Sequence, residues 1–385
     1  MFLLHLNLSL KLYAFSCFCE ALKTPMKILQ LIQKPQPRGA ETFAAQLSDN
    51  LEQQGHSSKL FALFDSGDAN KFNRSYVPVK ANASTRLWDK KGWRSLANII
   101  TEENPDVIQA NAGDTLKYAV FSKLLYRWRQ PIVFRNASTL SSYLRNPLQK
   151  FYTGFLLSQV DAIASVSEHS KQDLVRLFPK LVERIITIPI GLEEKAATSN
   201  PFPAWPNGCV NLVHVGGFSF EKNHKGLLRI FKKIVTVIPS THLWLVGDGP
   251  LKSEIEALVK DLGLKDKVTF TGFVQNPLDY TAHGDALLLP SIIEGLPGVI
   301  LEAMLYETPV VATKVGGVGE VVISDETGWL VDKGDEAGFA DAVSSLLENS
   351  QNTGRIVSNA SSRVKERYMN QDIARLFINL YHKLL

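Results

Sequence analysis

The sequence predicts an α/β protein with two doubly wound, Rossmann-like domains that face a cleft. Short apolar runs rich in Val, Ile and Leu alternate with helical stretches along most of the chain, the pattern of a parallel sheet covered on both faces. One proline-rich break near residue 200 interrupts the alternation. A length of 385 residues also favours two cores over one. Ligands of such sheets bind at the carboxyl ends of the strands, so we expect the site in the cleft.

The first domain is expected to span residues 26–195. Its predicted strands are MKILQLI, KLFALF, VIQAN, PIVFRN, AIASVS and RIITIPI. Gly39, Ala40 and Glu41 open a helix after the first strand, and Phe43, Leu47 and Leu51 supply its apolar face at helical spacing.

The break is a linker over residues 196–208, with three prolines in SNPFPAWPNG. The second domain follows over 209–370, with predicted strands VNLVHV, HLWLVG, KVTFTG, ALLLP, TPVVAT and GWLV. The last helix, 371–385, is amphipathic, and we expect it to pack back on the first domain. Its apolar positions are Ile373, Leu376, Phe377, Leu380 and Tyr381.

Residues 1–25 form an N-terminal extension of uncertain role. Its first ten residues are mostly apolar, but the first cation is Lys11, whereas a signal peptide carries its charge before the apolar run. Met26 begins the first strand, so Met1 and Met26 are both open as the start of translation. Three cysteines, Cys17, Cys19 and Cys209, build neither a disulfide framework nor a metal site, which favours a reducing cytoplasm.

Charge is divided unevenly along the chain. Residues 1–200 carry 25 Lys and Arg against 17 Asp and Glu, and the remainder carries 17 against 21. The first half is therefore expected to face something anionic, although an uneven surface without a partner fits equally well. Residues 86–94 and 123–129 interleave cations with aromatic side chains. Such stretches suit a membrane interface, single-stranded nucleic acid, or a solvated helix face whose aromatics point inward.

The segment from Ser291 to Met304 is the main candidate for chemistry. Glu294 follows the predicted strand ALLLP, and Glu302 falls within the helix that Gly298 begins. Glycines permit close backbone approach, and the start of a helix offers free N–H groups to a diphosphate. Two glutamates eight residues apart arise by chance in a chain of this composition. The prediction rests on the strand, the glycines and the helix falling in order.

This segment resembles the Glu-x7-Glu motif of family 4 (group 1) retaining glycosyltransferases, whose fold is the two-domain GT-B fold. Further matches follow the family's order: residues 216–224 resemble its phosphate-binding stretch, 247–250 its GDGP turn, 271–274 the segment beside the nucleobase, and 308–313 and 316–320 its closing elements. The resemblance covers about residues 27–385. It is specific in the second domain and diluted in the first.

The resemblance implies roles for individual residues. Lys222 is assigned to the donor diphosphate, Glu294 to the sugar ring and Glu302 to the ribose. The remaining residues assigned to the donor are Gly216, Gly217, Gly249, Phe273, Gly295, Leu296, Pro297 and Gly298. The family commonly has an arginine five residues before the lysine. Gly217 stands there in this chain, so the diphosphate must rely more on Lys222 and on backbone amides.

In the first domain the resemblance is looser. Arg38-Gly39-Ala40-Glu41 resembles the family's Gly-Gly-x-Glu loop, which implies that Gly39 approaches the donor phosphates or the acceptor; a plain tight turn fits nearly as well. Arg135 and Asn136 stand where many members have a histidine that lines the sugar pocket, so they are candidate catalytic residues. Residues 167–170 resemble a Ser-Glu stretch near the cleft, and equally a serine N-cap.

The function implied is transfer of a sugar, with retention, from a UDP- or GDP-sugar to a hydroxyl of a sugar or lipid-linked acceptor. The expected setting is the cytoplasmic side of the cell envelope, with peripheral contact to the inner membrane surface and no nucleic acid partner. The chain contains no Asp-x-Asp pair, so a metal-independent enzyme without a cofactor is expected. The alternatives are a non-catalytic nucleotide-sugar-binding subunit and a nicotinamide oxidoreductase, the latter disfavoured because Gly-x-Gly-x-x-Gly is missing.

Overall fold

The computed structural model describes residues 24–36, 38–66, 72, 74–85, 88–205 and 208–385. Most of the predicted N-terminal extension, including Cys17 and Cys19, lies outside the described residues, as do Arg86 and Leu87. Among the described residues, no helix combines the length and apolarity needed to cross a membrane.

The first sheet contains seven parallel strands in the order β3-β2-β1-β4-β5-β6-β7. The chain order is β1 Lys27–Ile32, α1 Gly39–Gln53, β2 Ser57–Ala62, β3 Val77–Pro78, α2 Lys90–Glu103, β4 Val107–Ala110, α3 Gly113–Tyr126, β5 Ile132–Asn136, α4 Pro147–Ser158, β6 Ala162–Ser165, α5 Glu168–Leu177 and β7 Ile185–Thr187. The predicted strands are all present. β3 was not predicted, because two exposed residues carry no periodic pattern.

The second sheet contains six parallel strands in the order β10-β9-β8-β11-β12-β13. Its elements are β8 Val210–Val215, α6 His224–Val237, β9 Thr241–Val246, α7 Lys252–Asp261, β10 Val268–Gly272, α8 Leu278–His283, β11 Ala286–Leu289, α9 Gly298–Leu305, β12 Val310–Thr313, α10 Val318–Val321, β13 Trp329–Val331, α11 Glu336–Glu348, α12 Ser350–Arg367 and α13 Asn370–His382. In both sheets the order in which strands are added reverses beside the first strand, β1 or β8. This confirms the predicted doubly wound α/β architecture.

The last helix, α13, packs against α1 of the first domain. The rings of Phe377 and Phe43 lie 5.9 Å apart, and the Tyr381 hydroxyl donates a hydrogen bond to Gln109 on β4. Leu376 differs from the expected pattern, since 43% of it stays exposed. The chain thus crosses from the second sheet back to the first, which ties the two domains together at their ends.

Candidate functional site

Two glycines of the β9–α7 turn support the loop that follows β8. Gly247 has a φ of +140°, and a Cβ there would lie 2.2 Å from the Gly216 carbonyl oxygen. A Cβ at Gly249 would lie 2.7 Å from the Phe218 nitrogen. Only glycine fits at either position, because the two loops touch backbone to backbone. Gly249 therefore holds the β8–α6 loop in place, while Gly217 has only ordinary contact with Asp248.

Lys222 and Glu294 meet at the carboxyl ends of the neighbouring strands β8 and β11. The Lys222 ammonium donates to Glu294 Oε1 over 2.6 Å, and the Ser291 hydroxyl donates to the same oxygen over 2.7 Å. Asn223, in the left-handed conformation at φ 56°, caps α6 and donates to the Pro290 carbonyl over 2.9 Å. These bonds hold the two loops side by side, with 22% of the Lys222 side chain and 9% of that of Glu294 exposed.

Two buried histidines lie beneath Lys222. Burial lowers the pKa of His214 to about 4, assisted by the Lys222 charge, and also lowers the pKa of His224. Nδ1 of His214 donates to the Leu288 carbonyl over 2.8 Å, and the two rings lie 4.7 Å apart. Both rings are therefore neutral at pH 7, so Lys222 carries the positive charge of this loop. The sequence reasoning had not singled out His214.

Residues 294–298 form the contact with the first domain. Thr139 donates to the Glu294 carbonyl oxygen over 3.3 Å, and a Cβ at Gly295 would lie 2.2 Å from the Ala137 carbonyl oxygen. Leu296 packs in the apolar core of the second domain, and Pro297 is buried. A ligand would therefore meet the backbone of Leu296 and Pro297 rather than their side chains.

Glu302 and Phe273 lie farther along the same domain. Glu302 is on α9, where burial raises the pKa of its carboxyl and the charge of Lys195, just before the linker, opposes that rise. Phe273 follows β10 and is 48% exposed, next to Gly272, whose carbonyl oxygen accepts from Gly247 over 3.0 Å. Their contacts with ribose and nucleobase remain predictions.

Arg135 is buried against α1. It is 3% exposed, and its guanidinium stacks 3.9 Å from the centre of the Phe43 ring on α1. Burial lowers the Arg135 pKa to about 9, opposed by the charge of Glu41, and burial likewise raises the Glu41 pKa. Arg135 Nη1 has no hydrogen-bond partner. Contact between Arg135 and a ligand would require this side chain to move, since alternation along β5 points it toward α1.

Asn136 and Gly39 lie at the carboxyl ends of β5 and β1. Asn136 is 2% exposed, and its amide lies 3.5 Å from the Ser165 hydroxyl. Gly39 begins α1 with free space where a Cβ would be. Packing therefore does not require glycine at 39, and the open space is available to a ligand.

Glu320 of the second domain caps α5 of the first. Its carboxylate accepts from the Glu168 amide over 2.9 Å and from the His169 amide over 2.8 Å. Ser167 accepts from the Ser170 amide at the same helix start, so the N-cap interpretation of residues 167–170 is confirmed. A carboxylate at a helix N terminus gains from both the free N–H groups and the dipole. This contact is not visible in the sequence, because its partners are 152 residues apart.

Comparison with known proteins shows the family. A model of the group 1 glycosyl transferases matches residues 209–349, and a model of glycosyltransferase family 4 matches residues 37–195. Together the two matches cover more than half of the chain, one on each domain. The chain belongs to this glycosyltransferase family.

Individual relatives match part of this chain. N-acetyl-alpha-D-glucosaminyl L-malate synthase of Bacillus anthracis is 34% identical over 174 residues, 45% of either chain. A Campylobacter jejuni enzyme, N-acetylgalactosamine-N,N'-diacetylbacillosaminyl-diphospho-undecaprenol 4-alpha-N-acetylgalactosaminyltransferase, is 29% identical over 238 residues, 58% of this chain and 62% of the relative. The chain thus spans about half the length of the curated relatives it matches.

A solved structure shares the fold of this chain almost throughout. Anabaena HepE in complex with UDP and glucose superposes with a TM-score of 0.78 at 21% identity, covering 93% of this chain and 100% of that one. At that identity the likeness shows the GT-B fold, which confirms the predicted fold class.

The first domain contains a cavity of about 330 Å³ between α3, β5 and α4. Its wall is mostly apolar, with Phe134, Leu140 and Tyr152, and one side carries Asp114 and Lys117. Lys117 donates to Asp114 over 2.9 Å. This cavity is not visible in the sequence, because its residues come from α3, β5, α4 and the turn at Leu140.

Two further expectations concern metals and aromatics. Within the ranges that the structure describes, no group of three or more His, Cys, Asp or Glu is placed to hold a metal ion.

Trp93, one of the interleaved aromatics, is 3% exposed and stacks on Phe121, whereas Trp88 is 79% exposed. Trp93 therefore belongs to the core and does not face a membrane.

Proposed function

We propose that this protein is a retaining glycosyltransferase that transfers a sugar from a UDP- or GDP-sugar to an acceptor hydroxyl in cell-envelope polysaccharide or glycolipid synthesis. The observation that carries the proposal is the Lys222–Glu294 pair, 2.6 Å apart at the edge where the strands of the second sheet end. A UDP complex of HepE, which shares the fold, supports a nucleotide-sugar donor.

Donor binding would exchange the partners of this pair. The diphosphate competes with Glu294 for the Lys222 ammonium, and the N termini of α6 and α9 offer backbone amides and favourable dipoles to the same anion. Glu294 then accepts a hydrogen bond from a sugar hydroxyl. In the transfer itself the bond from the sugar C1 to the diphosphate oxygen breaks, and the bond from C1 to the acceptor oxygen forms on the same face. The acceptor proton passes to the departing diphosphate, whose growing charge Lys222 stabilises.

The acceptor is proposed to enter from the first domain, through the cavity between α3 and α4. That cavity includes Leu140, which follows Thr139, the residue bonded to the Glu294 backbone. A lipid-linked acceptor fits the apolar wall, and the Campylobacter relative is named for a diphospho-undecaprenol substrate. We place the reaction on the cytoplasmic side of the inner membrane, without a metal.

The test is binding followed by turnover. Thermal unfolding is followed with UDP, GDP and their sugars. A nucleotide at about 100 times its Kd stabilises the fold by about 2.7 kcal/mol. Nucleotide release is then measured with lipid extracts as acceptor, and the anomeric configuration of the product is read by NMR. Stabilisation without release would indicate a non-catalytic binding subunit. The absence of both stabilisation and release would refute the proposal.

A further inference from the structure

The helix α4 exposes a row of large apolar side chains to solvent. Leu148 and Phe151 are each 76% exposed, Tyr152 is 36% exposed and Phe155 is 38% exposed. Their spacing of i, i+3, i+4 and i+7 places them on one face, which we call the α4 stripe. The opposite side of the helix is already occupied, since Leu156 and Leu157 pack in the first-domain core. The stripe is therefore a second apolar face, and Leu148 and Phe151 are its most exposed members.

The apolar surface continues onto the end of α3. The ring of Phe121 on α3 lies 6.4 Å from that of Tyr152 and 6.5 Å from that of Phe155. One helical turn beyond Phe121, Leu124 is 46% exposed and Leu125 is 52% exposed. A contiguous apolar surface on two helices is uncommon on a monomeric protein unless something binds to it.

The segment that forms this surface is entirely free of acidic residues. Residues 115–160 contain seven Lys or Arg and no Asp or Glu. Arg145 and Lys150 are exposed at the start of α4, and Arg127 and Arg129 are exposed just beyond α3. The apolar surface is therefore flanked by positive charge at both ends.

We propose that the α4 stripe and its flanking cations seat the protein on a bilayer that contains anionic lipid. An amphipathic helix lying in the interface buries its apolar face among acyl chains, while lysine and arginine meet the headgroups. A second copy of this chain fits less well, because its matching surface carries the same excess of Lys and Arg, whereas anionic lipid supplies the opposite charge. Exposed leucines also do not stack on nucleic acid bases, whereas they partition into lipid.

This seating has a consequence for the acceptor, which rests on the proposed function. Tyr152 belongs to the stripe and also lines the cavity between α3 and α4. A protein held on the bilayer by the stripe would keep that cavity beside the membrane, where a lipid-linked acceptor resides. The membrane contact itself requires no turnover.

The proposal is tested by flotation of the full chain with phosphatidylcholine vesicles, with and without phosphatidylglycerol. Leu148→Ser combined with Phe151→Ser is expected to lower the partition coefficient on phosphatidylglycerol vesicles by about tenfold per residue, because each position loses most of its apolar transfer energy. Reversal of charge by Arg145→Glu with Lys150→Glu is expected to abolish the preference for phosphatidylglycerol. Val237→Ser is the matched control, since Val237 is 67% exposed on α6 of the second domain, and it should bind as the unmodified chain does.

Two results would overturn the proposal. The first is that the unmodified chain floats no better with phosphatidylglycerol than without it. The second is that the chain with Leu148→Ser and Phe151→Ser binds vesicles as the unmodified chain does. If that chain differs from the unmodified one only in its sedimentation mass, the stripe is assigned to self-association. Thermal stabilisation by UDP is measured on each variant. A variant that is still stabilised by UDP but no longer floats with vesicles has lost only the membrane contact. Failure of the membrane proposal can therefore be told apart from failure of donor binding.

Discussion

Gly295 offers a test of whether the domain contact seen here is the one used in transfer. A Cβ added at Gly295 would lie 2.2 Å from the Ala137 carbonyl oxygen, whereas real Cβ contacts begin at 3.0 Å and become ordinary from 3.4 Å. The Gly295→Ala side chain must therefore push the two backbones apart by about 1 Å. A misplacement of about 1 Å costs on the order of 100-fold in rate when it separates reacting groups. We expect the turnover rate to fall by about that factor.

The measurement is nucleotide release at saturating donor, together with thermal stabilisation by UDP. UDP binding should change less than turnover, because Glu302 and Phe273, the residues assigned to ribose and nucleobase, lie outside the 294–298 contact. Gly354→Ala is the matched control: Gly354 lies in α12 with open space around its Cα, so alanine there should raise helix stability and leave the rate unchanged. A Gly295→Ala protein that keeps full turnover would refute the reasoning, as would one that loses UDP binding in equal measure.

Other expectations follow from the buried histidine, the cap between the domains and the proposed metal independence. Because the His214 pKa falls from 6.5 to about 4 on folding, the unfolded chain binds more protons between these values, so stability is full above pH 6.5 and declines toward pH 4. Urea unfolding should show a loss of about 2 kcal/mol between pH 7 and pH 5 from this residue, and His214→Asn should reduce that loss; an equal pH dependence would contradict it. Glu320→Ala removes the cap of α5 and should lower stability by about 1 kcal/mol and speed hydrogen exchange at the Glu168 and His169 amides, with unchanged exchange as the opposing result. Turnover should survive EDTA, and loss that Mg²⁺ or Mn²⁺ restores would show that a metal takes part.

The strands of both sheets were predictable from sequence for a physical reason. A parallel strand buried on both faces is a continuous apolar run, and such runs are visible without knowledge of tertiary structure. Lys222 and Glu294 were each identifiable from the motif around them. Their direct contact was not, because it depends on β8 and β11 being neighbours in the sheet, which chain order does not reveal.

The structure differs from the sequence-based prediction where one residue pattern fits both a buried and an exposed position. The apolar spacing in α4 is that of an ordinary buried helix face, and only packing shows that Leu148 and Phe151 are on the exposed side. Trp93 lies among lysines and arginines, yet its position on α2 turns it inward. Arg135 has the polarity of a cleft residue, but alternation along β5 sends it toward Phe43. Sequence gives the residue type, whereas the face it occupies depends on its neighbours.

The central claim is that Lys222 stabilises the leaving diphosphate. Lys222→Met is the direct test, with Lys225→Met as the control, since Lys225 lies three residues away and pairs with Glu254 over 2.5 Å at the surface. Removing Lys222 leaves the nearly buried Glu294 carboxylate without a cation beside it. Lys222→Met is therefore also measured in combination with Glu294→Gln, which removes that buried charge. Turnover of a UDP- or GDP-sugar should fall by about 10² to 10³ in both Lys222 variants and stay unchanged in Lys225→Met. Turnover of the folded Lys222→Met protein within about threefold of the unmodified chain, a difference of less than 1 kcal/mol in the barrier, would contradict the account.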